Sequence, residues 1–245
     1  MIEIRGVEKL QMYKGKKILV IIPAYNESHN IEHTLQSLTD EGMEIDYLII
    51  NDCSKDNTLD ILKRLNSNYV DLPINLGIGG GVQTGYKYAF RNGYDIAIQM
   101  DGDGQHIPKY IRDLIEPIIR DEADLVVGSR FLDKEGFQSS WMRRLGINFL
   151  SWLIHVCCGV KIKDVTSGFR AANRKVIKLF ARNYAQDYPE PESLVTSAVS
   201  GIRILEVPVV MKERTGGRSS ITSLRSIYYM VKVSAAIILR REAIK

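Results

Sequence analysis

Short apolar runs, each ending in polar residues, constrain this chain most. Lys17–Pro23, Tyr47–Ile50, Ile96–Met100 and Leu125–Val127 are continuous apolar stretches, with a shorter one near Tyr69–Val70. A strand reads as a continuous run only when both of its faces are buried, as in parallel sheets covered by helices on either side. Between the runs, apolar residues recur at helical spacing: Ile31, Leu35 and Leu38; Leu59, Leu62 and Leu65; Val82, Tyr86, Ala89 and Phe90; Leu114 and Ile118. This alternation predicts an α/β fold, a mainly parallel central sheet with helices on both faces. At 245 residues the chain can form one large α/β domain, or one domain with an added segment.

In open α/β sheets, ligands bind outside the carboxyl ends of the strands, so the strand ends hold the candidate chemistry. Asp101-Gly102-Asp103 directly follows Ile96–Met100, about 50 residues after Asn51-Asp52. Two carboxylates one residue apart suit a hard divalent cation, and magnesium typically takes one or two carboxylates plus substrate phosphates. The first strand ends in Pro23-Ala24-Tyr25-Asn26-Glu27 and the second in Asn51-Asp52-Cys53-Ser54-Lys55-Asp56. The third connection is Asn75-Leu76-Gly77-Ile78-Gly79-Gly80-Gly81, which predicts a glycine-rich turn ahead of a helix. A dinucleotide-type phosphate cradle is discounted there. The spacing is not Gly-x-Gly-x-x-Gly, and the turn lies between the third and fourth strands instead of after the first. The fourth strand ends in Asp101-Gly102-Asp103-Gly104-Gln105.

After Arg130 the pattern loosens. Trp141–Cys158 predicts an amphipathic helix, and Ile204–Met211, interrupted by Pro208, predicts an edge strand because proline cannot donate to a ladder. From Ser220 to Arg241 a last helix places Ile221, Leu224, Tyr228, Val231, Ala235 and Ile238 on one stripe, with Arg225 and Lys232 on another. Such a helix either docks on the core or lies in a membrane surface. Net charge is +4, and residues 201–245 hold nine Lys and Arg against three Asp and Glu, which leaves the first 200 residues at about −2. A mildly acidic body with a basic end suits an anionic lipid or phosphate surface and argues against a nucleic-acid binder.

Cys53, Cys157 and Cys158 have neither metal-ligand spacing nor an even count, as expected in a reducing cytosol. The start, Met-Ile-Glu-Ile-Arg, has no charged-then-apolar leader, so secretion is not expected. No stretch reaches about 18 uncharged apolar residues, so no spanning helix is expected.

Taken in order, Pro-Ala-Tyr-Asn-Glu, Asp-x-Ser-x-Asp, Asn-x-Gly and Asp-x-Asp, over about residues 17–130, resemble glycosyltransferase family 2, which has the GT-A fold. Val127-Gly128-Ser129-Arg130-Phe131 and Asp164-Val165-Thr166-Ser167-Gly168-Phe169-Arg170 are similar to segments of the dolichyl- and polyprenyl-phosphate sugar synthases. So are Trp141-Met142-Arg143-Arg144 followed by Asn148, and the late Arg214-x-x-Gly217-x-Ser219, which extends the resemblance to nearly the whole chain. It implies a GT-A nucleotide-diphospho-sugar transferase domain over residues 1–218. Residues 219–245 would then be a basic amphipathic C-terminal helix for docking on a membrane surface or a partner.

The activity implied is an inverting, metal-dependent transfer of one hexosyl or N-acetylhexosaminyl unit from a nucleotide-diphosphate sugar to a polyprenyl phosphate. Transfer to a saccharide hydroxyl is the alternative enzyme reading, and a catalytically silent nucleotide-sugar-binding subunit is the non-enzymatic one. No Gln-x-x-Arg-Trp occurs, which counts against a processive polymerase. The resemblance also assigns roles. Asp52 would face the donor base, and Pro23, Tyr25, Glu27, Ser54, Gly77 and Asp101 would line the donor pocket. Glycines 77 and 79–81 would let the backbone approach the donor. Asp101, Asp103 and Gln105 would hold Mg2+ or Mn2+, a Lewis acid for the diphosphate leaving group. Asp103, Arg130 and Glu192 form the catalytic set, and Arg130, Arg170, Arg214 and Arg218 would grip the acceptor phosphate.

A phosphate monoester has a second pKa of about 6 and is already an anionic nucleophile near neutral pH. A hydroxyl acceptor would need a base. Glu190 and Glu192 of Tyr188-Pro189-Glu190-Pro191-Glu192 are the candidates, although a loop followed by a helix start is the plainer reading. His106 reads as a neighbour of the metal motif and not as a ligand, and Cys157-Cys158 as packing at an apolar helix end. Trp141 and Trp152 suit a helix dipping into a lipid interface and a core face equally. The chain stops at Lys245 without spanning helices. The expectation is therefore a cytoplasmic protein, peripheral at the cytoplasmic face through residues 220–241, or held there by a small membrane-protein partner.

Overall fold

Continuous apolar runs demand cover on both faces, and the strand at the centre of the sheet has it: every residue of β2 (Ile18–Ala24) is buried. The structure, a computed structural model, describes residues 3–7, 11–133, 135, 141–212 and 231–239. Arg214, Arg218 and residues 220–230 and 240–241 of the expected terminal helix lie outside the described residues. The other strands are β1 (Glu3–Arg5), β3 (Asp46–Asn51), β4 (Tyr69–Asp71), β5 (Ile96–Gln99), β6 (Leu125–Ser129), β7 (Arg170–Asn173) and β8 (Ile204–Pro208). Among the described residues these eight make one sheet in the order β1-β4-β3-β2-β5-β7-β6-β8. The run β4-β3-β2-β5 is parallel throughout.

Side chains alternate across that sheet, as the period of a strand requires. Leu19 and Ile21 of β2 enter one apolar layer with Leu48 and Ile50 of β3. Ile18, Val20 and Ile22 enter the other with Ile49. The first layer is covered by α3 (Gly77–Arg91), α5 (Trp141–Cys158), α6 (Arg174–Arg182) and α7 (Pro189–Val199). The second is covered by α1 (Ile31–Asp40), α2 (Thr58–Arg64) and α4 (Ile111–Ile119). Each large aliphatic side chain so buried contributes roughly 1.5–3 kcal/mol. Helix α3 lies close on β2 because Gly85 has no side chain; a Cβ there would come within 2.2 Å of Ile21 Cγ2.

The second half departs from the expected parallel pattern at β7, which runs antiparallel between β5 and β6. Its sequence, Arg-Ala-Ala-Asn, has no β-branched or aromatic residue, so its pairing is set by its neighbours and not by propensity. Asn173 then caps α6, its side chain accepting the Val176 N–H. The edge strand β8 is as expected, parallel to β6 with Pro208 opposite Ser129. In the terminal segment, residues 231–239 are helical, but Val233 and Ile237 are its buried apolar residues. The stripe expected through Val231, Ala235 and Ile238 faces outward.

One buried carboxylate ties the three late strands together. Asp124 accepts from the backbone N–H and the guanidinium of Arg203, and from Asn173 Nδ2 at 2.8 Å. The Arg203 hydrogen bonds, outweighing burial, hold its pKa at about 2. The unfolded value is about 3.9, so the stabilisation is complete above that pH and is lost as pH falls through the folded pKa. Asp124→Asn should therefore destabilise the protein at neutral pH by about 1–2 kcal/mol. In denaturant titrations the gap from the parent should close as the pH approaches 2; a gap that stays constant with pH would count against this role.

Candidate active site

The carboxyl ends of β2, β3 and β5 lie side by side, and short polar side chains lock their loops together. Asn26, left-handed at φ 57°, donates its N–H to Ser54 Oγ at 3.0 Å, and its own Oδ1 accepts the Lys55 N–H at 2.8 Å. Asparagine tolerates that conformation better than most residues. Ser54 Oγ in turn donates to Asn51 Oδ1. Asp56 accepts the N–H groups of Ser28 and Thr58. Ser54 is thus a tie between two loops. That frame leaves Tyr25 exposed, Pro23 buried within β2, and Glu27 buried with Asn30 Nδ2 on its carboxylate at 2.8 Å.

Asp52 is 4% exposed, and its Oδ1 accepts the Leu76 N–H at 2.7 Å. Burial raises its pKa, and hydrogen bonds from the Leu76 and Gly77 N–H groups partly offset this. It therefore caps the start of α3 while standing at the end of β3. The glycine-rich stretch is not a free turn but the first turn of that helix, entered through Gly77 at φ 75°. A Cβ on Gly79 would lie 2.3 Å from the Ala185 carbonyl oxygen, so this glycine admits the protein's own backbone. The expected close approach of a ligand does not explain it.

Asp101 and Asp103 follow β5 with Asp101 partly exposed and Asp103 almost buried. The turn between them is built by its neighbours. Gln105 N–H donates to Asp103 Oδ1 at 3.1 Å, and Gly104 is left-handed at φ 77°. His106 Nδ1 accepts the Asp101 N–H at 3.0 Å while its ring stacks on Phe169 at 4.8 Å. Burial pushes its pKa down to about 4. It is therefore a neutral strut with its proton on Nε2, an assignment made from the Asp101 bond. Gln105 is tied to Lys212: its Nε2 donates to the Lys212 carbonyl at 3.2 Å, and its backbone carbonyl accepts the Lys212 N–H at 2.9 Å, which fixes the side chain whose Oε1 was the expected ligand.

Two hard carboxylates one residue apart fit Mg2+ or Mn2+. Among the described residues no group of three or more His, Cys, Asp or Glu could complete such a site. The remaining positions would fall to substrate oxygens and water.

Of the four arginines expected to grip phosphate, Arg130 and Arg170 lie within the described residues, and both are engaged with protein groups. Arg130 is buried, with Nε and Nη2 each 2.7 Å from the two oxygens of the fully buried Asp164. That carboxylate takes the Nε–Nη2 edge of the guanidinium in a bidentate pair, and Nη2 also donates to Thr166 Oγ1 at 3.0 Å. Arg170 is 1% exposed and donates to the carbonyls of Ser167 at 2.6 Å and Glu190 at 2.9 Å, and to Ser193 Oγ at 2.7 Å. It ties the loop before β7 to the start of α7. Proline at the first position of α7 confirms the helix start read from the Pro-Glu-Pro-Glu segment. The carboxyl of Glu190 is raised by burial, lowered by Arg170 and raised again by Asp101, so it shares the field of the acidic site. Glu190 therefore joins the expected Glu192, which is half-buried.

Three residues of the site had no assigned role in the sequence. Gln99, fully buried, donates from Nε2 toward Asp101 Oδ1 at 3.4 Å and accepts from the Tyr184 hydroxyl at 3.2 Å. An amide ending an otherwise apolar strand was its only signal. Gly168 presses on the same aspartate; a Cβ there would sit 2.9 Å from Asp101 Oδ2.

The sequence profile of glycosyl transferase family 2 matches residues 19–180. The UDP-N-acetylglucosamine–dolichyl-phosphate N-acetylglucosaminyltransferase of Methanococcus voltae is 33% identical over 217 residues, covering 79% of this chain and 85% of that protein. The polyprenol monophosphomannose synthase of Mycolicibacterium smegmatis is 27% identical over 239 residues, covering 94% and 90%. Among solved structures, glucosyl-3-phosphoglycerate synthase from Mycobacterium tuberculosis in complex with phosphoglyceric acid superposes with a TM-score of 0.71 at 20% identity, over 93% of this chain and 81% of that one. The same enzyme with Mn2+, UDP-glucose and phosphoglyceric acid also gives 0.71, at 21% identity over 93% and 80%. The fold is of the GT-A type.

Gly168→Ala gives a test of the acidic site, because the added methyl meets the Asp101 carboxylate and the buried Gln99 amide beside it. Mn2+ affinity measured by calorimetry should fall on the order of tenfold or more, the usual cost of disturbing a ligand's supporting contacts. Unchanged affinity would remove Asp101 from the metal site.

Proposed function

Because the chain belongs to glycosyl transferase family 2, we propose that it moves one sugar from a nucleotide-diphosphate sugar to a polyprenyl phosphate, by inversion and with Mg2+ or Mn2+ as cofactor. The observation that carries this reading is the Asp101–Asp103 pair, which follows β5 at the same carboxyl end of the parallel strands as Asp52 after β3. The activities of the M. voltae and M. smegmatis relatives support the lipid-phosphate acceptor.

Asp52 would accept a ring N–H of the donor base, a bond that uracil and guanine can both supply, with Pro23, Tyr25, Glu27 and Ser54 framing that pocket and Gly77 at its rim. Asp101 and Asp103 would hold the cation, which supplies Lewis-acid neutralisation of the diphosphate. An oxygen of the acceptor phosphate attacks the anomeric carbon as the bond from that carbon to the diphosphate breaks, and the nucleoside diphosphate departs. One displacement inverts the centre. No proton has to leave the nucleophile, since a phosphate monoester is largely ionised near neutral pH. Arg130 and Arg170 are committed to Asp164 and to carbonyls, so we assign the acceptor phosphate to Arg214 and Arg218. They follow Lys212, which exchanges two hydrogen bonds with Gln105. Arg130 would instead position the loop at the end of β6.

Among the described residues no helix is long and apolar enough to cross a membrane. A lipid acceptor would therefore be met from the bilayer surface, at the cytoplasmic face where nucleotide sugars are available.

A hydroxyl acceptor is favoured by one observation, the carboxyl of Glu190 raised by burial next to the acidic site. A base must be ionised to act. If Glu190 serves as one, activity should rise with pH through its raised pKa, at higher pH than an ordinary glutamate allows. Glu190→Gln would then cost roughly 100-fold or more and remove that acid limb. On the phosphate reading the same change should cost less than about tenfold.

The direct experiment supplies labelled UDP- and GDP-sugars, polyprenyl phosphate and Mn2+ or Mg2+. Label should move into the organic phase, and Asp103→Ala should abolish both transfer and its dependence on metal. Label appearing only on an added saccharide primer would replace the lipid-phosphate reading with hydroxyl transfer.

A further inference from the structure

Helix α5 is apolar on two opposite sides. Ile147, Leu150, Leu153 and Ile154 are buried in the core. Trp141, Leu145, Phe149, Trp152 and Val156 are between 45% and 76% exposed. At about 100° per residue the exposed five fall within a wedge of about 80° and form a stripe about 22 Å long, opposite the buried four. A surface helix of a globular protein normally turns its second face polar. Of the two readings of Trp141 and Trp152, the core face is set aside by their exposure.

What borders the stripe selects its occupant. Along one flank runs a trough of about 470 Å³, lined by Arg144, His155, Lys161 and Lys163 together with Phe131 and the edge of Trp152. No acidic residue lines it. The carboxylate of Glu206 is engaged by the backbone N–H groups of Lys163 and Asp164, both at 2.8 Å. From Gly136 to Lys163 the sequence has four Lys and Arg and no Asp or Glu. An exposed apolar stripe that holds two tryptophans, beside a trough with three cations and no carboxylate in its lining, is complementary to an anionic lipid bilayer: acyl chains below, phosphates at the rim. The described part of the terminal helix repeats the pattern, burying Val233 and Ile237 and exposing Val231, Ile238 and Leu239.

We propose that the outer face of α5 is the surface by which the protein docks on an anionic bilayer, with the Arg144–Lys161–Lys163 trough seating a lipid phosphate at the membrane rim. Of the two helices that the sequence offered for such a role, this one rests on Trp141 and Trp152. The inference deepens the lipid-acceptor reading and rests on it for its purpose, but docking and transfer are measured apart.

The two tryptophans of the chain are Trp141 and Trp152, so intrinsic fluorescence reads this stripe alone. Vesicles of phosphatidylcholine with one-third phosphatidylglycerol should shift the emission to the blue and allow quenching by bromine on the acyl chains. Pure phosphatidylcholine vesicles should bind far more weakly. Leu145→Ser with Phe149→Ser keeps both reporters and should weaken vesicle binding at least tenfold. Lys161→Ala with Lys163→Ala should weaken it on the order of thirtyfold on the anionic vesicles, from the usual attraction per surface cation, and high salt should mimic that loss. Binding that neither pair weakens, or no shift at all, would overturn the proposal. So would a blue shift that grows with protein concentration in the absence of lipid, which would make the occupant a second copy. With a short water-soluble polyprenyl phosphate and no vesicles, the Leu145→Ser, Phe149→Ser variant should retain transfer. Absence of transfer by the parent there would strike the acceptor reading, and the vesicle result would still decide the docking one.

Discussion

A strand buried on both faces can offer chemistry only at its ends, and this constraint organises the molecule. With β2, β3 and β5 covered by helices above and below, polar side chains accumulate where the parallel strands stop together. Loops there would be loose if they depended on apolar contact. They are held instead by short polar ties: Ser54 between Asn26 and Asn51, Asp56 across to Ser28, Asp52 onto the start of α3. The result is a rigid rim on which Asp101 and Asp103 stand with little freedom of their own.

The charge arrangement is equally indirect. Removing a buried guanidinium from water costs several kcal/mol unless its partners are well placed. Arg130 meets a full carboxylate, and Arg170 meets carbonyls and a hydroxyl. Both arginines therefore act as struts. Arg130 fixes the end of β6 against the Asp164 loop, and Arg170 fixes that loop's far end against α7. Between them they set where Gly168 lies against Asp101, and so the orientation of the carboxylate itself. Removing one partner of such a pair leaves an uncompensated charge, typically at a cost of 3–5 kcal/mol. Loss of activity on mutating Arg130 or Arg170 would therefore not make either one a phosphate ligand.

The sequence was most legible where local rules and burial agree. The runs that became β2, β3, β5 and β6 were visible because two-sided burial leaves only apolar residues, and Trp141–Cys158 was visible as a helix from its composition and length. The place of the acidic motif was legible too, because Asp101–Asp103 directly follows the apolar run that became β5. What escaped depends on partners distant in sequence. Strand β7 is four residues without β character, placed by Gln99 opposite Arg170. Gly79 looked like room for a ligand and is room for Ala185. A motif arginine looks the same in sequence whether it faces phosphate or, as with Arg130, a carboxylate 34 residues away.

The same strut connects the acidic rim to the exposed face of α5. Arg130 precedes Phe131, which lines the basic trough and lies under the Arg144 guanidinium at 4.0 Å. Asp164, its partner, follows Lys163, which lines the trough from the other side. The buried ion pair thus links the basic trough to the acidic motif, whose His106 feels the charges of both Arg130 and Asp164. A polyprenyl phosphate cannot leave the bilayer without exposing its chain to water, at about 0.8 kcal/mol for each CH2 withdrawn. On the proposed reading, an enzyme acting on it must bring its cation to the interface, and the bidentate Arg130–Asp164 pair would join the two surfaces that this requires.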